Sequence, residues 1–445
     1  MTTIYSARWV LPVSSAPIEH GAVAVDGPLI VGVGNAAEIA SKFPEARIES
    51  FGESVVLPGL INAHTHLELT ALRGYLENEE NDFFAWLKKL TLARLERMTA
   101  DDIRVSATWG ACEAVRAGIT CVGDASDSAL MSMRALRDVG LRGVVFQESF
   151  GPDPRLASEN FAKLKTKVEE LRTIENKLVR VGVSPHAPYT VCRAQLELIA
   201  DFANSEQLPL MMHAAESEGE ELLLREGKGI FADGFARRGI EWKAPGISTV
   251  QYLKQCGILT CQPLLAHCIR VNDEDIETLK QTRAKVAHCP KSNAKLGHGR
   301  APLAKFLAAG VAVGLGSDSV ASNNTCDMIE EARFAILLAR YPQSPSLQAS
   351  QILTTATTGG ARCLGLEERI GVLREGAQAD FAIVALNGAY QLPVYDPLSA
   401  LVFSSSGRDV VLTMIAGREV YRDQRVIGVD EERLRSRMHE IAQKL

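Results

Sequence analysis

Short apolar runs recur along the middle of the chain, and most lead into a stretch of helical period. In order they cover 55–63, 119–123, 141–146, 179–183, 208–212, 263–266, 284–287 and 311–315. Between them, apolar residues fall at helical spacing over 101–117, 161–175, 195–205, 272–281 and 301–309. Strands alternating with helices build parallel βαβ units. Eight such runs predict an α/β fold, a (β/α)8 TIM barrel. A doubly wound sheet is the alternative, but no G-x-G-x-x-G follows the first run.

The two ends of the chain differ from this middle. Residues 4–11, 22–25 and 29–33 are rich in Val and Ile with Gly and Pro between them, and 379–384 and 410–415 repeat the pattern. The expected organisation pairs 1–57 with 371–430 in one small β domain. It leaves 58–370 as the barrel and 431–445 as an amphipathic C-terminal helix.

Barrel enzymes carry their chemistry at the C-terminal ends of the strands. The first run ends in His64-Thr65-His66, two imidazoles one step apart on the same face of a strand. The later runs lead to Asp124, to Gln147 and Glu148, to His186, to His213 and Glu216, to His267, to His288 and to Asp318. Six of the chain's nine histidines thus fall in one layer, whereas His20, His298 and His439 do not. Imidazole suits zinc, and three protein ligands plus a water is the usual plan of a catalytic zinc site.

Composition narrows the classes. Of 445 residues, 46% are hydrophobic and 23% charged, ordinary for a globular protein. A net charge of −6 offers no basic footprint for nucleic acid. No run approaches the ~20 apolar residues of a membrane span, and the first residues lack a signal-peptide pattern. The nine cysteines contain no C-x-x-C and sit mostly beside apolar residues, which fits reduced thiols in a cytoplasmic protein. The H-x-E with P-C-x-x-C deaminase pattern is absent, since Cys289-Pro290 is followed by Lys291-Ser292.

The chain resembles the amidohydrolase superfamily over nearly its whole length. The resemblance rests on Pro58-Gly59-Leu60-Ile61-Asn62-Ala63-His64-Thr65-His66, His213-Ala214-Ala215-Glu216, Ala266-His267-Cys268 and Gly314-Leu315-Gly316-Ser317-Asp318. Three further pieces are similar to the branch acting on adenosine-like nucleosides, which includes methylthioadenosine/S-adenosylhomocysteine and aminodeoxyfutalosine deaminases. They are Ser184-Pro185-His186-Ala187-Pro188-Tyr189-Thr190, His288-Cys289-Pro290-Lys291-Ser292-Asn293, and Ser317 through Asn324.

This resemblance implies that the chain ends form a β-sandwich and that His64, His66, His213 and Asp318 ligate a metal. No lysine lies between Leu178 and Cys192, where binuclear members carry a bridging one, so a single divalent ion is expected. Zn2+ is the first choice, with Fe2+ and Mn2+ as alternatives. The implied catalytic residues are Glu216 as proton donor to a ring nitrogen, His267 steadying the attacking hydroxide, and Asp318 accepting a proton from water. For substrate contacts, His186, Trp86, Arg142 and Arg155 are the candidates, either arginine meeting a carboxylate and Arg155 favoured by position. The role of His288 stays open.

The expected activity is hydrolytic deamination of a 6-aminopurine nucleoside: aminodeoxyfutalosine, methylthioadenosine, S-adenosylhomocysteine or adenosine. A guanine- or pterin-type deaminase or a triazine chlorohydrolase would keep the site and change the substrate, and a non-catalytic barrel would keep only the fold. The partner is a small molecule, with no nucleic acid or membrane, and a homo-oligomer is left open.

Overall fold

A computed structural model describes residues 1–340 and 347–445. Five strands come first: β1 (Thr3–Val10), β2 (Ile18–Asp26), β3 (Leu29–Asn35), β4 (Arg47–Ser50) and β5 (Ser54–Pro58). Eight follow in the body: β6 (Leu60–Thr65), β7 (Ile119–Ser126), β8 (Arg142–Ser149), β9 (Val179–Pro185), β10 (Met211–Ala214), β11 (Leu264–His267), β12 (Lys285–His288) and β13 (Val313–Leu315). The last four are β14 (Phe381–Ala385), β15 (Val410–Ile415), β16 (Arg418–Arg422) and β17 (Arg425–Val426).

The eight body strands form two four-stranded parallel sheets, β6–β7–β8–β9 and β10–β11–β12–β13. Single parallel bridges, Val183–Leu210 and Thr65–Asp318, link the sheets at both seams. With helices between the strands this is a TIM-barrel-type α/β fold. Strands buried on both faces read as continuous apolar runs rather than alternating ones. β7 and β8 are buried at every position.

The run at 55–63 is two strands. Pro58 still pairs with Phe381 in β14, and Leu60 already pairs with Ile119 in β7. Gly59 makes the crossing. A Cβ there would meet Thr120 Oγ1 at 2.0 Å, so only glycine lets β5 and β6 pass so close to β7.

Both chain ends contribute to one nine-stranded hydrogen-bonded sheet, ordered β17–β16–β15–β14–β5–β1–β2–β3 with β4 on β1. Antiparallel pairing of β5 with β14 joins the two contributions in one network. The helix Glu431–Lys444 packs back on the body: Lys444 and Arg437 both pair with the buried Asp102 carboxylate. Among the described residues, no helix is long and apolar enough to cross a membrane.

Candidate metal centre and catalytic cavity

The C-terminal ends of the body strands open on a cavity of about 590 Å³. His64 and His66 leave β6 on one face, and His213 leaves β10 opposite them. Ligand nitrogens of the three lie within 4.8 Å of one another. His66 Nε2 and His213 Nε2 are only 3.2 Å apart. His213 Nδ1 donates to the His186 carbonyl at 2.9 Å, so its Nε2 carries a bare lone pair toward His66. His64 Nδ1 faces Met211 Sδ at 3.1 Å, and its Nε2 is buried with no hydrogen-bond partner.

Asp318 reaches the same point from the far seam. Its Oδ1 is 3.5 Å from both His64 Nε2 and His66 Nε2. Two bare imidazole nitrogens beside one carboxylate oxygen, with a third 3.2 Å from one of them, repel one another unless a cation sits among them. The donor set therefore fits a divalent metal.

Electrostatics agree with this layout. Burial lowers His64 to about 4 and holds His213, beside other imidazoles, well below the usual range. Neutral imidazole is the form that binds metal. For Asp318, burial pushes the carboxyl up, but His64, His267 and His66 outweigh it and hold the group well below the ordinary carboxylate range. Its other oxygen, Oδ2, accepts from Ser292 Oγ at 2.5 Å and Ser322 Oγ at 3.0 Å.

The backbone is strained where these groups are aimed. His267 has φ +73°, Cys268 +46°, Ala215 +53° and Asp318 +57°. Left-handed non-glycine residues cost of order 1–3 kcal/mol each and cluster at functional sites.

Glu216 lies just before the helix Glu218–Glu226 and is buried. Its Oε1 is 3.5 Å from His267 Nε2 and 3.7 Å from His298 Nε2, and its Oε2 accepts from the Tyr189 hydroxyl at 3.4 Å. Glu220 fixes this turn, accepting from the Ala215 and Glu216 amides at 2.8 and 3.1 Å. His267 Nδ1 is anchored on Asn293 Oδ1 at 2.8 Å, which aims Nε2 at Glu216. Burial alone lowers His267, yet the Glu216 and Asp318 carboxylates outweigh it and the net shift is upward.

Trp86, on the helix Phe83–Leu92, is buried and lines the cavity with Phe83, Phe84, Leu87 and Leu90. His186 also lines it. Neither Arg142 nor Arg155, expected at the substrate, is among the residues lining this cavity. Arg142 begins β8, at the end of the strand away from the cavity, and is locked bidentately on Asp380 at 2.6 and 3.0 Å. Arg155 is 70% exposed and held by Asp153. The cations that do line the cavity are Lys88, Arg94 and Arg238. His288 ends β12 with Nδ1 buried and unpartnered.

Sequence reasoning missed His298, Glu68, Arg94, Asp127 and the Ser292–Ser322 pair. His298 follows no strand, and only the short helix Pro290–Lys295 carries it to Glu216. Glu68 had a signal, its i+2 spacing from His66. Ser292 and Asn293 sat inside a quoted motif but had no partner until β12 and β13 were placed side by side.

A TIM-barrel-type fold with imidazoles and a carboxylate converging at the C-terminal strand ends defines a metal-dependent hydrolase. Residues 55–420 match the amidohydrolase family model. The chain belongs to the amidohydrolase family. It is 33% identical over 433 residues to a 5-methylthioadenosine/S-adenosylhomocysteine deaminase of Syntrophobacter fumaroxidans, covering 96% of this chain and 94% of that protein. A protein of Syntrophus aciditrophicus, named 5-methylthioadenosine/S-adenosylhomocysteine deaminase 1, is 31% identical over 96% of this chain and 93% of its own length. Among solved structures, an adenosine deaminase from Xanthomonas campestris with bound zinc superimposes with a TM-score of 0.88 at 28% identity, over 99% of this chain and 98% of that one.

Proposed function

We propose that the protein hydrolytically removes the 6-amino group of an adenosine-type nucleoside: adenosine itself, methylthioadenosine, S-adenosylhomocysteine or aminodeoxyfutalosine. The observation that carries the reading is Glu216 facing His267 at 3.5 Å in the same cavity that His66, His213 and Asp318 of the donor set line. His64, His66, His213 and Asp318 would hold one zinc ion, and no lysine follows β9 to bridge a second. Bound there, the metal supplies the charge that makes water a nucleophile near neutral pH.

The chain's own groups do the rest. Asp318, with Oδ2 held by two serines and Oδ1 accepting from the Ser319 amide at 2.7 Å, keeps Oδ1 turned toward the donor set to take a proton from the attacking water. His267 Nε2, fixed through Asn293, holds that water against the ring carbon. Glu216 protonates the adjacent ring nitrogen, which makes the carbon electrophilic. Such positioned proton transfer contributes ~10²–10⁴-fold. Asp318 then passes its proton to the amino group, the C–N bond breaks to release ammonia, and the remaining hydroxyl proton returns to Glu216 as the carbonyl forms. Trp86, Phe83 and Phe84 supply the apolar wall for the heterocycle.

A spectroscopic screen of 6-aminopurine nucleosides with zinc-loaded enzyme tests this, because adenine-to-hypoxanthine conversion changes the ultraviolet spectrum. Turnover of at least one member is expected. Silence on the whole panel at full metal occupancy would overturn the reading.

A further inference from the structure

Of the three cavity carboxyls that the proposed chemistry does not use, Glu68, Asp127 and Glu148, one stands without a partner at one oxygen. Glu148 ends β8, is only 6% exposed, lines the cavity, and has no hydrogen-bond partner at Oε1. The two acidic neighbours that line the cavity with it are satisfied. Glu68 Oε2 accepts from Ser126 Oγ at 2.7 Å and the Ser128 amide at 3.0 Å, and Glu68 Oε1 faces Arg94 at 3.4 Å. Asp127 accepts from Arg94 at 2.8 Å and from Lys167 at 3.1 Å. An unpaired buried carboxyl is costly, so a partner from outside the chain is implied.

His186 sits beside it. Ligand atoms of Glu148, His186 and His213 lie within 4.8 Å of one another. The Thr190 hydroxyl donates to the Ala187 carbonyl at 3.1 Å, so the His186 Nδ1–H donates to Thr190 Oγ1 at 2.9 Å. The ring is further held by Phe150, 4.7 Å away between centroids. This leaves His186 Nε2 as a bare acceptor. Two acceptors side by side, one from β8 and one after β9, call for two donors close together on the ligand.

We infer that Glu148 and His186 form a subsite for the vicinal hydroxyls of the substrate's sugar. The inference rests on the nucleoside reading above. Glu216 and His267 take the reacting edge of the heterocycle from β10 and β11, so the sugar extends over the β8–β9 sector. In either proton state Glu148 offers an acceptor oxygen to a hydroxyl.

The test is a cycle on purified, zinc-loaded full-length enzyme, with kcat/KM measured for adenosine, 2′-deoxyadenosine and 3′-deoxyadenosine. Wild type should lose about 10–100-fold when one of the two hydroxyls is removed. Glu148→Leu, which removes the acceptor oxygen that Gln would keep, should lose a similar factor on adenosine. It should then lose less than about 3-fold further on that deoxy substrate, because the two changes delete the same contact. His186→Leu supplies the second variant should Glu148→Leu fold poorly, and should be similarly non-additive. Penalties that simply multiply in both variants, while wild type turns over adenosine, would overturn the subsite alone. A fall in bound metal content in Glu148→Leu would also overturn it, assigning the group to a metal. A wild type silent on all adenosine-type nucleosides would sink the nucleoside reading, and the subsite with it.

Discussion

The Ser292 hydroxyl donates to Asp318 Oδ2 at 2.5 Å and so keeps Oδ1 turned toward His64 and His66. Partners that orient metal ligands typically matter by about 10–100-fold in affinity or activity. Ser292→Ala should therefore lower turnover or zinc affinity by that order. Ser322→Ala, whose bond to the same oxygen is longer at 3.0 Å, should cost less. Steady-state kinetics beside metal titration separate the two effects, and no change in either would remove the orienting role.

Glu216 touches no proposed metal ligand in the structure, yet it faces His267 at 3.5 Å. Glu216→Gln keeps the shape and the Tyr189 contact but cannot carry the proton. Turnover should fall by at least ~10²–10⁴-fold with metal content unchanged by elemental analysis. Near-normal turnover would assign the proton step to another group.

Chelation tests the donor set. Removing the ion leaves the buried His64 Nε2 without a partner and His66 Nε2 facing His213 Nε2 at 3.2 Å. Treated protein should lose activity and melt at lower temperature, and added Zn2+ should restore both. A metal present at 100 times its Kd stabilises the folded state by about 2.7 kcal/mol. An unchanged Tm after demonstrated metal loss would count against these four ligands.

Arg142 and Asp380 form a buried bidentate pair joining β8 to the residue before β14, and Asp380 also accepts from the Ala416 amide at 2.7 Å. Breaking one partner of such a pair costs about 3–5 kcal/mol. Arg142→Ala should destabilise to denaturant by that order. KM for the best substrate should stay unchanged at a temperature where the variant is folded. A KM rise without stability loss would return Arg142 to the substrate.

Asp102 ties down the C-terminal helix through Lys444 and Arg437. Burial raises its carboxyl, but Lys444 and the Thr99 bonds outweigh that and leave it below the ordinary value of 3.8. A depressed carboxyl contributes stability that is fully present above its unfolded pKa and lost as pH falls through the lower folded value. The Tm advantage of wild type over Asp102→Asn should be constant at neutral pH and shrink below about pH 4. An advantage that grew on acidification would contradict the sign.

Much of the body was legible in the chain because burial on both faces leaves its mark residue by residue. The eight apolar runs each contain or overlap a parallel strand, and four of the histidines that follow them, His66, His186, His213 and His267, line one cavity. His64, His66, His213, Glu216 and Asp318 could be named in advance because strand ends in such a fold share one face. Arg142 could not be placed from its charge, since a strand's start and end read alike until its partner is known, and that partner, Asp380, lies 238 residues away. His298 and Ser292 reach the site from a helix and loop whose path no periodicity encodes. The strand order of the nine-stranded sheet was likewise beyond local pattern, because β5 and β14 choose each other by edge pairing. Local hydrophobic period determined the strands and the layer of ligands. Long-range pairing, which depends on which surfaces meet, decided the sheet, the ion pairs and the unpartnered Glu148.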